Sequence, residues 1–387
     1  SQLEDLIERF IISWKDVLTG EEAFNLYATH GLPLEITRDV LREYSLEVDE
    51  HAFKQAMEDH RLASGANKAF GSMGGEDVDI YRKLFEELVA KNQLPKEGVH
   101  YNPYGDLQTE SNILAMLIDE NRVNTANPGD LVEVILPSTG FYIESGGQVS
   151  DTGTIHSAND MSWEIKVIDM RKPAAGMIAH VGEVTRGAPN VGDLAIATVD
   201  MQRRKDIMRN HTATHLLHAA LQRILGDHAR QAGSLVAPDR LRFDFTHPQA
   251  VTPEQIVEIE AFVNQSILDN YRLEIEHKPI KEALAEGAMA LFGEKYGEIV
   301  RTISIEQHER LSLELCGGTH VSETSDIGVF IITGESSAAA GIRRIEAVTG
   351  RGAYALIKSR FETISQISEL LETKPDSLTE KIQDVID

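Results

Sequence analysis

Two short stretches hold the side chains best suited to chemistry. His211-Thr212-Ala213-Thr214-His215 sets two imidazoles four residues apart. On a helix such positions lie one turn apart on one face, so both rings reach a single metal ion. With 14 histidines in the chain, a pair of this spacing carries little weight alone. Thr212 stands where a zinc protease would need glutamate, so metalloprotease chemistry is not supported. Further along, Cys316-Gly317-Gly318-Thr319-His320 places the chain's single thiol four residues before another histidine. The two glycines permit a tight turn, which lets Cys316 and His320 point at one centre. Together His211, His215, Cys316 and His320 form a complete tetrahedral nitrogen and sulfur set for Zn2+. The plainer alternative is a core cysteine with ordinary helix histidines. His218, one turn beyond His215, reads as an orienting or packing neighbour. Four protein donors describe a closed, structural zinc, whereas a catalytic zinc keeps a position for water; the sequence leaves both open.

Two further constellations stand near these. Phe141-Tyr142-Ile143-Glu144-Ser145-Gly146-Gly147-Gln148 follows a strand, and its paired glycines let the backbone approach a ligand closely. Gln148 offers a donor and an acceptor, suited to an ester carbonyl or to orienting a water; the alternative is an ordinary turn. In Gly341-Ile342-Arg343-Arg344-Ile345-Glu346-Ala347-Val348-Thr349-Gly350, strand alternation puts Arg344 on the face of Glu346. Arg344 then either contacts phosphate or pairs with Glu346.

The elements that position these groups follow from periodicity. Leu3, Leu6, Ile7, Phe10, Ile11, Trp14 and Val17 recur at helical spacing. Thr19-Gly20-Glu21-Glu22 reads as a capping box, and helices are expected over roughly 49–64 and 77–92, separated by a glycine run at 71–75. Residues 1–94 thus read as a helical region and 95–105, with Pro95 and Pro103, as a linker. From 106 to 200, short β-type runs such as 131–136, 163–168 and 194–199 predict a small antiparallel β-barrel. An α+β zinc-binding core is expected over 201–350. It has helix 202–225 stopped by Gly226, a helix opened by Thr252-Pro253-Glu254-Gln255, and strands near 232–237, 240–245, 272–277, 298–304, 327–333 and 342–348. A last helix over about 352–372 lies within a C-terminal segment 351–387. The fold class is therefore α+β multidomain.

The chain has 387 residues, 42% hydrophobic and 26% charged, enough for more than one packed core. No apolar run approaches the roughly 20 residues that span a bilayer. One cysteine excludes an intramolecular disulfide and fits a reducing, cytoplasmic setting. The chain starts Ser1-Gln2-Leu3 with no signal peptide and is expected to be a portion of a longer protein. A net charge of −25 argues against indiscriminate grip on nucleic acid. Locally the balance reverses: Arg203, Arg204, Lys205, Arg209, Arg223, Arg230, Arg240 and Arg242 face only Asp206, Asp227, Asp239 and Asp244.

These pieces, in this order, resemble the alanyl-tRNA synthetase family. "RNHTATHLLHAAL", "CGGTHV", "FYIESGGQVSDTG" and "GIRRIEAVTG" look like its editing-domain motifs, and "LTGEEAFNLYATHGLPLEITRDV" is similar to the end of its tRNA-recognition helical region. The editing domain of threonyl-tRNA synthetase shares the two metal motifs but is less similar in the other two. The resemblance implies that His211, His215, Cys316 and His320 hold zinc and that Gln148 sits near an aminoacyl ester. It implies hydrolysis of Ser-tRNA(Ala) or Gly-tRNA(Ala), with tRNA(Ala) as partner, and that the aminoacylation motifs lie before residue 1. Thr212, Thr214 and the turn at Gln231 and Ser234 are candidates for reading the serine hydroxyl, and Arg203, Arg204 and Arg344 for backbone phosphates. The family is expected to carry Asp where Ala28 stands, a position associated with reading the acceptor stem. Two other readings remain: a tRNA-binding module with a structural zinc, and a freestanding editing protein.

Overall fold

The computed structural model describes residues 17–20, 47–49, 52–53, 75–290, 296–307 and 310–386. Most of the region expected as helical over 1–94, Ala28 included, lies outside them. The chain divides into two compact units. Described residues of the first comprise those up to Ile80, with 247–250 and 337–343. In it β1 (Val17–Leu18) pairs in parallel with β2 (Glu47–Val48), two short strands inside a stretch expected to be helical throughout. Asp49 accepts the Ala52 N–H at 2.9 Å, and Leu18 and Phe53 are buried. Helix α1 (Gly75–Ala90), expected over 77–92, runs from the first unit into the second.

In the second unit, the segment 91–105 is not a free linker. Val99 N–H donates to Gly176 O at 2.9 Å, His100 N–H to Pro137 O at 2.9 Å and Asn102 N–H to Thr139 O at 3.0 Å. Strand β3 (His100–Tyr101) thereby pairs in parallel with a two-residue strand at Ser138–Thr139. Backbone donors and acceptors must find partners on burial, and here the neighbouring sheet supplies them.

That sheet holds β4 (Gln108–Asn112), β5 (Ala115–Ile118), β6 (Asn121–Val123), β7 (Leu131–Ile135), β9 (Gly153–Ser157), β10 (Glu164–Ala174), β11 (Met177–Arg186) and β12 (Leu194–Val199); β8 is the Ser138–Thr139 strand. The spatial order is β4-β12-β9-β10-β11-β7-β5-β6, antiparallel throughout. Alternation builds one wet and one dry face: Ala195, Ala197 and Val199 of β12 are buried between half-buried neighbours. The expected barrel is an open sheet, because β4 and β6 remain unpaired edges. Their composition suits that position: Gln108, Glu110 and Asn112 on β4 and Asn121 and Arg122 on β6 are exposed, and polar, short edges resist further pairing.

The chain then enters α2 (Met201–Leu225), whose Asp200 cap accepts the Arg203 N–H at 2.9 Å and whose stop is Gly226 at φ 113°. β13 (Gln231–Val236) and β14 (Leu241–Thr246) join β18 (Phe330–Ala339) and β19 (Ile342–Thr349) in a four-stranded sheet ordered β13-β14-β19-β18. Helix α3 (Pro253–Leu268) opens on the expected capping box of Thr252 and Gln255. Ala213, Leu217 and Leu221 of α2, Ile259 and Val263 of α3, Phe243 and Phe245 of β14 and Ile345 of β19 form one buried apolar cluster between these helices and the sheet. A separate three-stranded antiparallel sheet, β15 (Arg272–Pro279), β16 (Ile299–Glu306) and β17 (Arg310–Leu315), packs its own small cluster with α4 (Ile280–Ala285). The helix expected over about 352–372 is α5 (Gly350–Leu370); a further one, α6 (Leu378–Ile386), follows a 3-10 turn at Pro375–Ser377 within the C-terminal segment. Among the described residues no helix is long and apolar enough to cross a membrane.

Candidate metal centre and the cleft beside it

On α2, His211, His215 and His218 fall at i, i+4 and i+7, so they form one stripe; the His211 and His215 rings stack with centroids 5.4 Å apart. β17 ends at Leu315, and the turn that follows turns Cys316 and His320 back toward that stripe. Cys316 Sγ lies 3.4 Å from His211 Nε2 and 3.4 Å from His320 Nε2. The donor atoms of His211, His215, Cys316 and His320 all lie within 4.8 Å of one another. The structure thus brings together the quartet expected from the sequence.

What surrounds the quartet decides whether it suits a metal ion. Each imidazole has its Nδ1 engaged elsewhere: His211 donates to Gln148 Oε1 at 2.7 Å, His215 to Glu314 Oε2 at 2.8 Å, and His320 Nδ1 sits 3.2 Å from Thr212 Oγ1. The acceptor-only partners of His211 and His215 put their protons on Nδ1, and all three contacts turn Nε2 inward. His215 Nε2 is buried with no hydrogen-bond partner, and a buried polar atom left so is costly unless something binds it. His180 shows the contrasting case of a satisfied core histidine: Nε2 lies 2.9 Å from Thr139 Oγ1, Nδ1 lies 3.2 Å from Val134 O, and burial pushes it down to about 4. In the quartet, burial alone would raise the Cys316 thiol, but the His211 and His320 imidazoles outweigh it and hold the thiol well below its usual range. Burial, with His211, pushes His320 down to about 3. Burial opposes a charge on His215, yet Glu314 overcomes it and raises the ring to about 10. A low-lying thiol and oriented Nε2 atoms are what a metal site needs, and these four residues can hold one.

Gly318 shows how tightly the turn is fitted. A Cβ there would fall inside the His211 ring and 2.9 Å from Gln148 Oε1. The turn is gripped from outside as well. Arg301 Nη1 donates to Cys316 O at 2.7 Å and to Gly318 O at 3.0 Å, and Tyr104 donates its hydroxyl to Gly317 O at 2.6 Å. The Arg301 guanidinium lies 4.2 Å above the Tyr104 ring.

Beside the quartet is a cleft of about 280 Å³. His211, His215, Cys316, Thr214, Gln231, Ser234, Tyr142, Ser145 and Gly146 are among the residues lining it. Cys316 is the one donor of the four that is only half-buried.

Several residues expected at the site have other posts. Gln148 is fully buried, outside the cleft lining. Its amide accepts from His211 and from Thr319 N–H at 2.9 Å and donates to Thr319 Oγ1 at 2.9 Å, so its polar atoms are engaged in orienting His211 and the turn. Thr212 is likewise fully buried behind His320, accepting the Val321 N–H at 3.3 Å. Thr214 does line the cleft, donating to Asn210 O at 2.8 Å and keeping lone pairs free to accept. Gln231 and Ser234 belong to β13 and not to a turn; Gln231 Nε2 donates to Ser234 Oγ at 3.1 Å. Gly147, at φ 80°, packs against Ser234 where no side chain fits.

The expected phosphate binders need correcting too. Arg204 is 3% exposed, and its guanidinium is spent on Asp151, Pro103 O and Gly140 O, which leaves nothing for a phosphate. Arg203 donates to Ser150 O at 3.1 Å. Arg344 pairs with both carboxylate oxygens of Asp244, at 2.7 and 2.9 Å, and not with Glu346. Within the basic stretch Arg209 pairs with Asp206, Arg240 with Asp239 and Arg242 with Asp244, so the interleaved aspartates neutralise part of it.

Glu314, Arg301 and Tyr104 escaped the sequence reading. Glu314 had a signal: it lies two residues before Cys316 on a strand, hence on the same face, as a charge among leucines. It takes Ser312 Oγ–H at 3.0 Å and His218 Nδ1–H at 3.2 Å besides His215, and these histidines keep it ionised well below its usual range although burial opposes that.

Comparison with known proteins places the chain. The family profile of tRNA synthetases class II (A) matches residues 2–203, and that of the threonyl and alanyl tRNA synthetase second additional domain matches 300–346. An alanine–tRNA ligase of Chloroflexus aurantiacus is 41% identical over 99% of the chain and 42% of its own length. Those of a Thermoanaerobacter species and of Clostridioides difficile are 43% and 41% identical, over 98% and 100% of the chain and 41% and 42% of their own lengths. The chain therefore spans about two fifths of the relatives it matches. With both profiles and these relatives agreeing, the chain belongs to the alanyl-tRNA synthetase family of class II tRNA synthetases.

Proposed function

We propose that this chain edits mischarged tRNA(Ala), hydrolysing the ester of Ser-tRNA(Ala) or Gly-tRNA(Ala) in the cleft beside His211, His215, Cys316 and His320, which hold zinc. The observation that carries the reading is the oriented, partly orphaned quartet bordering an open cleft. Tetrahedral zinc with bonds of about 2.0–2.3 Å puts nitrogen and sulfur donors about 3.5 Å apart, against the 3.4 Å between Cys316 Sγ and two imidazoles. The relatives named alanine–tRNA ligases, and the second additional domain shared by threonyl and alanyl enzymes, support the substrate class.

Physical chemistry explains the need for such a site. Glycine fits any pocket made for alanine, and an apolar pocket rejects an added hydroxyl poorly, so a size sieve alone cannot exclude both. When bound, zinc supplies Lewis acidity for the ester carbonyl and the attacking water. Thr214, Gln231 and Ser234 offer polar atoms along the cleft for the serine hydroxyl. Gln148, Thr212 and Glu314 act from behind, holding three imidazoles in the orientation the ion requires. Arg301 secures the carbonyls of the Cys316 turn and replaces Arg204 as the cation nearest the chemistry.

A second reading has an observation in its favour: four protein donors make a closed set, the hallmark of structural zinc in a non-catalytic tRNA-binding module. Serine release from Ser-tRNA(Ala) separates the two. Editing expects release by the intact protein and a fall of about a hundredfold or more in Cys316→Ala. Retained activity in Cys316→Ala or in metal-stripped protein removes zinc from the reaction, and no release by intact, zinc-loaded protein leaves the structural module.

A further inference from the structure

The segment 100–105, expected to be a linker, carries two exposed tyrosines, one tied beside a residue lining the cleft and one tied to a lining residue. Tyr101 is 40% exposed and Tyr104 is 49% exposed. The Tyr101 hydroxyl accepts the Ile143 N–H at 3.2 Å, next to Tyr142, which lines the cleft. The Tyr104 hydroxyl donates to Gly317 O at 2.6 Å, and Gly317 lines the cleft too. Arg301, itself lining the cleft, lies over the Tyr104 ring and uses Nη1 for the turn carbonyls; among the described residues Nε and Nη2 take no hydrogen bond. The backbone between is held as firmly: Asn102 N–H on Thr139 O, Pro103 O on the buried Arg204, and Tyr104 N–H on Asn102 Oδ1 at 3.3 Å.

Exposed aromatic rings pinned at their far tips are an unusual expense unless something stacks on them, because pinning removes rotamer freedom while the ring stays wet. We propose that Tyr101 and Tyr104 form a stacking platform for the terminal nucleobase of an unpaired RNA 3′ end, with the free N–H edge of Arg301 facing its phosphate. Aromatic rings with an adjacent arginine are the general means of holding a single-stranded base, since every base has a π-face. The placement suits the chemistry: an ester on the terminal ribose lying at the quartet puts the attached base one nucleoside away, within reach of rings tied to Ile143 and Gly317. A pre-fixed platform also lowers the ordering cost of binding. The inference rests on the editing reading for what the RNA carries, but not for base stacking itself.

The test uses an acceptor-stem minihelix ending in single-stranded CCA and the same minihelix trimmed of its terminal adenosine. The intact protein is expected to bind the complete end about tenfold more tightly than the trimmed one. Tyr101→Leu and Tyr104→Leu are expected to erase most of that difference, and Tyr101→Phe and Tyr104→Phe to keep it, since the ring face survives. With Ser-tRNA(Ala), Tyr101→Leu, which leaves the Tyr104 bond to the Gly317 turn in place, is expected to raise KM more than it lowers kcat. Equal affinity of the intact protein for both minihelices overturns the platform, whether or not serine is released. So does an effect of the same size in the phenylalanine and leucine variants, which would trace to the lost hydroxyl bonds. Terminal-base preference without serine release keeps the platform and removes the editing reading.

Discussion

The centre is specified by backs of side chains as much as by their tips. His211, His215 and His320 offer Nε2 inward only because Gln148, Glu314 and Thr212 engage Nδ1. Gly318 and Gly317 show how local the constraint is. An alanine Cβ at 318 would overlap His211, whereas at 317 nothing lies within 4 Å. Gly318→Ala is therefore expected to weaken zinc binding about tenfold or more, within the range that ligand-supporting partners contribute, and Gly317→Ala to change it less than about twofold. Chelator competition on the purified variants measures both, and equal affinity in the two variants would mean that the turn does not press on His211. The grouping of the four side chains was legible in the sequence because each half is local: two residues four apart on a helix, two more four apart across a glycine turn. Glu314 on two histidines, Arg301 on the turn carbonyls and Tyr104 on Gly317 join residues distant in sequence, and no spacing rule encodes such pairs. Gln148 was found for the right polarity and given the wrong duty, because composition does not tell which way an amide faces.

Elements were legible where one period dominates. α2, with its Asp200 cap and Gly226 stop, and β12 fall where periodicity puts them. The open eight-stranded sheet was read as a barrel because alternation fixes strands but not whether the outer two meet; the polar edges of β4 and β6 settle that only once the order is known. The supposed linker failed for a related reason. Its prolines mark irregular backbone, but irregular backbone can still be tied to a sheet, as β3 is. Arg204 binds these elements together, joining α2 to Asp151, Gly140 and Pro103. Removing one partner of a buried pair strands the other's charge. Arg204→Ala is expected to cost about 3–5 kcal/mol of stability, with much of it restored in Arg204→Met/Asp151→Leu, where both charges are gone. Chemical denaturation followed by tryptophan fluorescence reads this through Trp163, buried in the same unit. An Arg204→Ala variant as stable as the intact protein would return Arg204 to the surface and reopen its role as a phosphate ligand.

Across the whole molecule, a net charge of −25 coexists with a proposed RNA substrate because binding is concentrated, not spread. Arg204, Arg209, Arg240 and Arg242 of the basic stretch pair with aspartates, and Arg301 is the cation among the described residues lining the cleft. The site draws α2, the 142–148 loop, β16, β17 and the turn after it into one place, all within the second unit. An ion held by side chains from separate stretches also closes long loops, so its loss is expected to loosen the unit as well as the chemistry. The most direct measurement is zinc K-edge X-ray absorption on the purified chain, combined with metal counting. One zinc per chain is expected, with one sulfur at about 2.3 Å and three nitrogens at about 2.0 Å. A shell lacking sulfur, or a chain that retains no zinc under non-chelating conditions, would contradict the account at its centre.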